Sequence, residues 1–486
     1  MTAQPASKLH LTGLLGSGFS FVTRSLFTQT ELPFLLVFNN KEEAAYYLND
    51  MEQLVGEKDV LFYPASFRRP YQIEETDNAN VLLRAEVLNR INSRKKPAVI
   101  VTYPEALFEK VVTRKELDKN TLKVAVNDKI SIDFINEVLF EYEFKRVDFI
   151  TEPGEFSVRG GIVDVFSFSN DNPYRIEFFG NEVESIRTFD VATQLSIETK
   201  KKITIIPNVE NSFFQENRES FLDYISPQTV IFIQNTELLL ADLDKHFGKA
   251  EEAFAKLSQE IKRATPEQLF LNQASFIKRA LDFSVVEWGS KAIFKTSKTF
   301  PFHFQPQPSF NKQFDLLLNN LNENHFNGYK NYLFCSNDGQ VKRFHDIFES
   351  LDEANAENIR KQYHTIVLPM YQGFIDDENQ IACYTDHQIF ERYHKFSIKN
   401  GYSKKQNLTL KELTSLSVGD YVTHIDHGIG KFGGLQKIQV EGKTQEAIKL
   451  VYADNDIVYV SIHSLHKISK YNGKDGTPPK IYKLGS

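Results

Sequence analysis

Short apolar runs that alternate with helix-length polar stretches dominate the first part of this chain. The runs are LPFLLVF (Leu32–Phe38), DVLFYP (Asp59–Pro64) and AVIVTYP (Ala98–Pro104), and KEEAAYYLNDMEQL is a stretch between two of them. Strands that lack polar alternation are buried on both faces, and helical segments between such strands connect parallel neighbours. The sequence therefore predicts a parallel sheet flanked by helices over residues 1–118.

Changes in the pattern of apolar and turn-forming residues divide the next part of the chain into domains. Residues 119–205 carry short β segments with turn signals such as Gly180-Asn181, which predict a β-rich insert. Residues 206–307 return to an α/β pattern and are expected to complete the first domain. Residues 308–395 predict a further small α/β domain, and the polar residues 396–414 predict a linker.

The last segment, residues 415–486, alternates apolar and polar positions and is punctuated by glycine. Short hairpins of this kind avoid exposed strand edges when they close, so the segment predicts a small SH3/Tudor-like β-barrel. His424 and His427 are three residues apart there, but no cysteine or third ligand lies nearby, and we expect turn residues rather than a metal site. The predicted fold class is α/β multidomain.

The amino-acid composition disfavours membrane-spanning, secreted and broadly nucleic-acid-binding proteins. The 486 residues are 41% hydrophobic and 25% charged, as in ordinary globular proteins, and no apolar run reaches membrane-spanning length. No secretion signal is recognisable, and Cys335 and Cys383 each stand alone in apolar segments, so we expect buried thiols in a cytoplasmic protein. The net charge of −7 disfavours broad binding to phosphates, although a local basic patch could still contact DNA.

A glycine-rich loop near the start nearly matches a phosphate-binding motif. Gly13-Leu-Leu-Gly16-Ser-Gly18-Phe19-Ser20 fits the spacing G-x-x-x-x-G-K-[ST] except that Phe19 replaces the lysine. A phenyl ring offers no charge to the β- and γ-phosphates and would crowd the γ-phosphate. We expect a degenerate P-loop-type domain that binds no nucleotide, and the alternative is a chance glycine-rich loop. No catalytic set of residues stands out elsewhere, so we expect no enzyme and no cofactor in this chain.

Two sequence blocks resemble a known repair signature. TEPGEFSVRGGIVDVF (Thr151–Phe166) and YRIEFFGNEVESIRTFD (Tyr174–Asp190) resemble a segment that UvrB shares with bacterial transcription-repair coupling factors. The resemblance implies a β-rich domain that binds the damage sensor UvrA. By position it implies that Arg159, Arg175 and Phe179 lie at that contact.

Structural alternatives remain open for these three residues. Arg175 could pair with a neighbouring carboxylate such as Glu177 or Glu184. Phe179 could be buried. Strand alternation places Phe178 and Phe179 on opposite faces, so one of the two is expected in the core and the other nearer the surface.

The last segment resembles a second domain of the coupling factors. GDYVTHIDHGIGKFGG, LVYADNDIVYV and SLHKISKY are similar to their RNA-polymerase-interacting domain, which is itself similar to the CarD regulators. The resemblance implies that the strand containing Leu435, Lys437, Ile438 and Gln439 pairs edge-to-edge with the polymerase β subunit. The alternative is that this strand lies inside the barrel with Ile438 in the core.

Taken together, the resemblance implies an adaptor that binds RNA polymerase and recruits UvrA, and we expect a monomer. In the family a two-lobed DNA translocase follows this region. That translocase would bind ATP and Mg²⁺ and would make most contacts to double-stranded DNA. No intact phosphate loop occurs here, so we expect a fragment of a larger protein or one that has lost its motor. The alternatives are a UvrB-like excision-repair helicase with ATPase activity and a CarD-like transcription regulator.

Overall fold

The computed structural model describes residues 6–66, 78–93, 96–168, 170–191, 193–209, 218–256, 264–295, 298–351, 356–392, 418–424, 427–440, 443–453, 456–461 and 468–470. The predicted linker, residues 396–414, lies outside these ranges. The chain forms two compact units, one from Met1–Leu117 with Val209–Asn400 and one from Asp118–Asn208 with Gly401–Ser486.

The helices and strands follow in chain order. The first segment contains β1 (Lys8–Thr12), α1 (Gly18–Thr30), β2 (Phe34–Val37), α2 (Lys41–Val55), β3 (Val60–Phe62), α3 (Asn78–Ser93), β4 (Val99–Thr102), α4 (Pro104–Phe108), β5 (Val111–Val112) and α5 (Arg114–Lys119). The second contains β6 (Leu122–Ala125), α6 (Ile132–Glu141), β7 (Lys145–Arg146), β8 (Glu155–Arg159), β9 (Ile162–Val165), β10 (Tyr174–Phe179), β11 (Glu182–Phe189), β12 (Ser196–Thr199) and β13 (Lys202–Ile205).

The third segment contains β14 (Arg218–Glu219), α7 (Phe221–Tyr224), β15 (Val230–Ile233), α8 (Thr236–Ala255), α9 (Pro266–Leu269), α10 (Gln273–Ala280), β16 (Ser284–Trp288), β17 (Lys298–Pro301), β18 (Phe304–Pro306), α11 (Phe314–Phe326), β19 (Lys330–Cys335), α12 (Asp338–Leu351), α13 (Ala356–Arg360), β20 (Tyr363–Val367), β21 (Phe374–Asp376), β22 (Ile381–Thr385) and α14 (Asp386–Ile389). The fourth contains β23 (Tyr421–His424), β24 (Gly428–Val440), β25 (Lys443–Val451), β26 (Ile457–Ser461) and β27 (Ile468–Lys470).

A seven-stranded parallel sheet is the centre of the first unit. Its strand order is β17-β1-β16-β15-β2-β4-β3. Every residue of β2, β3 and β4 is buried, as expected for parallel strands covered by helices on both faces. The parallel sheet predicted for the first segment is confirmed. Because β15, β16 and β17 complete the same sheet, the β-rich segment between β5 and β14 is an insertion into it.

The first unit also contains a five-stranded mixed sheet of order β18-β21-β22-β19-β20. Strands β19, β20 and β22 are parallel, whereas β18 and β21 are antiparallel to their neighbours. Helices α11 and α12 contribute buried residues to a core that the strands share, and this core includes Leu317, Leu321, Leu333, Phe344, Phe348 and Tyr384. This α/β sheet begins at Phe304.

Cys335 is the last residue of β19, and Cys383 lies within β22. Both cysteines are buried, as predicted. Burial raises the pKa of the Cys335 thiol to about 12. Such thiols stay protonated and are poor nucleophiles.

In the second unit, the insert forms a six-stranded sheet of order β12-β11-β10-β9-β8-β7. All neighbours are antiparallel except β7 and β8. The hairpin between β10 and β11 turns at Gly180, whose φ of 62° lies in the left-handed region that glycine adopts easily. Strand alternation buries one face, with Val163, Ile176 and Ile186 fully buried.

The C-terminal strands of the second unit form a five-stranded antiparallel sheet of order β26-β25-β24-β23-β27. Val422, Phe432, Ile448 and Leu450 belong to its core. The edge strands β26 and β27 are not paired with each other in the described ranges. The coarse prediction of a small, all-β segment is confirmed, and barrel closure stays a prediction.

Within the described ranges, none of the helices combines the length and apolar character that a bilayer crossing requires.

Candidate functional site

A polar network covers part of the exposed face of the six-stranded sheet. Asp164 lies on β9 opposite Arg175 on β10 and Ser157 on β8. The Nε and Nη2 atoms of Arg175 donate to the two carboxylate oxygens of Asp164 over 2.7 and 2.8 Å. Arg159, at the end of β8, donates to the same carboxylate. Two of the predicted contact residues are therefore joined by a third residue that the sequence reasoning did not identify.

The two arginines have different surroundings. The side chain of Arg175 is 16% exposed, and its guanidinium lies 4.3 Å from the centroid of the buried Phe189 ring. The hydrogen bonds that Arg175 donates to Asp164 raise the pKa of Arg175. The side chain of Arg159 is 40% exposed and lies over the Phe149 ring. A bidentate pair at a buried carboxylate fixes Arg175 in place, whereas Arg159 retains accessible surface for a partner.

Phe178 and Phe179 lie on opposite faces of β10, as the alternation predicts. Phe178 is 8% exposed and Phe179 is 81% exposed. A register shift between Glu177 and Phe178 precedes the hairpin turn. An exposed phenyl ring of this kind has no role in the core, so the burial alternative for Phe179 is excluded.

The carboxylates suggested as alternative partners of Arg175 do not pair with it. Glu177 instead accepts hydrogen bonds from Arg187 and from the Ser185 hydroxyl group. The true partner, Asp164, stands between two buried valines of β9. A charge between buried apolar positions was the one signal in the sequence for this pair, because an acid buried in a strand needs a basic partner.

The second candidate surface is the open edge of β24. A register shift separates Phe432 from Leu435, and Gly434 lies between them with a φ of 92°. Residues after this irregularity pair only with β25, whereas β23 pairs only with residues 428–431. Within the described strands, one backbone edge of Leu435–Val440 is therefore unpaired.

The side chains predicted to contact the polymerase are only partly described. Leu435 is 47% exposed, and its neighbour Gln436 accepts a hydrogen bond from the Tyr459 hydroxyl group over 3.1 Å. Lys437, Ile438 and Gln439 lie in the β24 backbone ladder, and their side chains are outside the described part of the chain. The choice between an exposed and a buried Ile438 stays open.

The glycine-rich loop connects β1 to α1, which is the strand–loop–helix arrangement expected at a nucleotide site. Phe19 is 1% exposed, and its ring stacks on the indole of Trp288 with centroids 3.9 Å apart. Phe38 and Tyr47 pack edge-on against the same phenyl ring. The residue that replaces the motif lysine is thus part of a buried aromatic cluster.

Three backbone N–H groups of this loop, those of Ser17, Gly18 and Phe19, already donate to carbonyl oxygens of the protein. The N–H of Ser17 donates to the Gln372 carbonyl over 3.0 Å, and those of Gly18 and Phe19 donate within the loop over 3.2 and 3.4 Å. The hydroxyl group of Ser20, which would bind Mg²⁺ in an intact motif, donates to Asp50 over 3.0 Å. A phosphate would have to displace these contacts.

The paired histidines of the last segment stack on each other. His424 is the last residue of β23 and is buried, and its ring stacks on that of His427 with centroids 4.6 Å apart. Among the residues that the structure describes, no group of three potential metal ligands occurs.

Comparisons with known proteins match the two regions described above. A family model of the UvrB interaction domain matches residues 122–210, which includes the six-stranded sheet. A family model of the CarD-like/TRCF RID domain matches residues 416–472, which includes the C-terminal sheet. Both resemblances noted in the sequence are therefore confirmed.

Curated relatives extend the match to nearly the whole chain. The transcription-repair-coupling factor of Bacillus subtilis is 25% identical over 547 residues, covering 98% of this chain and 46% of that protein. The Haemophilus influenzae and Rickettsia typhi proteins of the same name are 23% and 24% identical and cover 89% and 93% of this chain. The chain spans less than half the length of these relatives. These matches identify the protein as a relative of the transcription-repair-coupling factors that carries a UvrB interaction domain and a CarD-like/TRCF RID domain.

Proposed function

We propose that this chain is the adaptor region of a transcription-repair coupling factor, which binds RNA polymerase and recruits UvrA. The observation that carries the proposal is the presence of both matched domains in one chain whose relatives are named transcription-repair-coupling factors. A CarD-like regulator would need only the second domain, and a UvrB-like helicase would need only the first. The adaptor role accounts for both.

The UvrA contact is proposed at the polar face of the six-stranded sheet. Arg159 and Phe179 are the accessible members of the predicted set, and arginine and aromatic side chains are enriched among residues that dominate binding energy. Arg175 acts as a positioning residue, because its pair with Asp164 orients the carboxylate that Arg159 also contacts. A partner that supplies a carboxylate would compete with Asp164 for Arg159.

The polymerase contact is proposed at the open edge of β24, with the β subunit as the partner. Unpaired backbone groups at a strand edge can add a strand from another chain, and alternate side chains then select the partner. Leu435, Lys437, Ile438 and Gln439 would take that role. We further propose that the C-terminal sheet closes into the SH3/Tudor-like barrel predicted from the sequence.

We also propose that the Gly13–Ser20 loop binds no nucleotide and that this chain needs no cofactor. The buried stack of Phe19 on Trp288 and the occupied N–H groups of the loop support this. ATP, Mg²⁺ and most double-stranded DNA contacts would belong to the motor domains of the whole coupling factor. We also keep three further predictions as part of this proposal. The domains end at residues 118, 205, 307, 395 and 414, the protein is a monomer, and it is located in the cytoplasm.

Capture of purified UvrA on the immobilised chain tests the first contact. Arg159→Glu and Phe179→Ala should each weaken UvrA binding at least about tenfold, because each removes an accessible anchor. Arg146→Glu, on the exposed strand β7 of the same sheet, is the charge-matched control, and Phe326→Ala, at a 90% exposed ring, controls for loss of a surface phenylalanine. Equal capture by all four variants and the unmodified chain would reject this surface.

A further inference from the structure

The Pro369–Gly373 segment, between β20 and β21, lies against the Gly13–Ser20 loop within the first unit. The contact is reciprocal, because the N–H of Ser17 donates to the carbonyl of Gln372 and the N–H of Gln372 donates to the hydroxyl oxygen of Ser17, both over 3.0 Å. The side chain of Asn49 on α2 donates to the Pro369 carbonyl over 3.1 Å. The loop therefore binds backbone of the chain itself.

A buried carboxylate joins the two sides of this contact. Asp50, on α2, is fully buried and accepts hydrogen bonds from the Ser20 hydroxyl group over 3.0 Å and from the N–H of Tyr371 over 2.7 Å. The Tyr371 ring stacks on Tyr46 of the same helix with centroids 4.2 Å apart. The hydroxyl group expected on a metal ion in an intact motif is thus directed at a carboxyl group of the protein.

Apolar packing surrounds these hydrogen bonds. Phe21 of α1 contacts the Phe334 and Phe374 rings of the mixed sheet, with centroids 5.8 Å apart in each case. A Cβ added at Gly18 would lie 2.2 Å from the Phe304 ring, and one added at Gly16 would lie 2.8 Å from the Gly373 carbonyl oxygen. The glycines are needed here for close approach of protein rather than of a phosphate.

We propose that the degenerate loop is a docking socket for the Pro369–Gly373 segment, so that the groups that bind phosphate in a working loop instead attach the mixed sheet to the parallel sheet. A carbonyl oxygen accepts from the loop N–H of Ser17, and a carboxylate accepts from Ser20. The segment is covalently tethered, so its effective concentration far exceeds that of a free ligand in solution. The small α/β domain thereby gains a role, which is to fill the crevice at the carboxyl ends of the parallel strands.

The proposal predicts that hydrogen exchange of the segment depends on the socket. Gly16→Ala should speed exchange in a peptide covering residues 368–374 at least about tenfold, because the added methyl group displaces the Gly373 carbonyl. Gly56→Ala is the matched control, since Gly56 also has a positive φ, of 104°, but faces open space. Peptides from β19 and β22 should stay protected in both variants.

Ser17→Ala is a milder second variant that adds no volume and removes the hydroxyl group that accepts from the Gln372 N–H and donates to Asp50. Loss of these buried hydrogen bonds should speed exchange of the same peptide at least about fivefold. Millimolar Mg-ATP should leave exchange of residues 14–21 and 368–374 of the unmodified chain unchanged. Unaltered exchange in both variants, or protection of these peptides by Mg-ATP, would overturn the proposal. Protection by Mg-ATP would also refute the proposed lack of nucleotide binding. Neither outcome bears on UvrA or polymerase capture, so this inference and the proposed adaptor function fail separately.

Discussion

At the scale of single residues, Asp164 links the proposed binding surface to the stability of the fold. Its carboxylate is buried, and the two arginines that contact it differ in exposure. A buried acid left without its main partner costs far more than an exposed ion pair contributes. Arg175 should therefore matter for stability, and Arg159 for binding.

Arg175→Ala should destabilise the insert by about 2–3 kcal/mol, because the bidentate pair to Asp164 is lost. Arg159→Ala should cost less than about 1 kcal/mol, since its side chain is well exposed. Hydrogen exchange of a peptide covering Ile162–Val165 measures both changes, with about 30-fold or greater acceleration expected for the first variant. Equal acceleration in the two variants would contradict this division of roles.

Asp50 makes a second residue-scale prediction, on pH dependence. Burial raises the pKa of Asp50 from its ordinary 3.8 to about 7, although hydrogen bonds from Ser17, Tyr371 and Ser20 act in the opposite direction. The folded state therefore holds a proton that the unfolded state releases between pH 4 and 7, and the Asp50 contribution to stability falls as pH rises through that window. Tyr371 stays neutral there, because burial raises its pKa to about 12.

Asp50→Asn should remove this dependence. The difference in free energy of unfolding between the unmodified chain and the variant should change by about 1.4 kcal/mol per pH unit between about pH 4 and 7, to the disadvantage of the unmodified chain at higher pH. Urea unfolding can follow the fluorescence of Trp288, the single tryptophan of the chain. If the difference in free energy of unfolding between the two proteins stays constant from pH 4.5 to 7, Asp50 does not titrate in this window.

At the scale of elements, the proposed polymerase contact depends on the strand edge of β24. The glycine pair at Gly433 and Gly434 interrupts its ladder, and among the described strands the residues that follow pair only with β25. An irregularity of this kind ends pairing on one side while the strand continues. Within the described strands, the backbone groups beyond it have one unpaired edge, to which the proposed partner strand would add.

Leu435→Asp should weaken capture of RNA polymerase at least about tenfold, because a charge would then stand beside the proposed incoming strand. Leu435 is half exposed, so the fold should tolerate the change. Ile457→Asp, at a similarly exposed isoleucine on the edge strand β26, is the matched control. If Ile457→Asp abolishes capture and Leu435→Asp does not, the polymerase contact lies at the opposite edge of the sheet.

Local patterns predicted some of these elements and could not predict others. Alternation along β10 was enough to place Phe178 and Phe179 on opposite faces, although it did not say which of them is buried. Uniform apolar runs were enough to predict β2 and β4. The pairing of Arg175 with Asp164 depends on cross-strand register, which a single strand does not encode. The contact of Ser17 with Gln372 joins residues about 350 positions apart, and neither segment carries a local signal for the other.

At the scale of the whole molecule, the chain carries its two candidate contacts on separate domains. The insert begins with β6 and ends with β13, and these two strands pair with each other. Ends that lie side by side allow a domain to be inserted into a parent fold without disturbing it. The parallel sheet correspondingly completes itself with strands from both sides of the insertion.

The adaptor proposal is tested most directly by bridging. RNA polymerase is immobilised, and UvrA is added with the chain, without it, or with the Leu435→Asp and Arg159→Glu variants. UvrA should be retained only when the unmodified chain is present, and each variant should reduce retention at least about tenfold because each breaks one of the two contacts. Retention of the chain on polymerase without any retention of UvrA, at concentrations where the chain alone captures UvrA, would contradict the adaptor function.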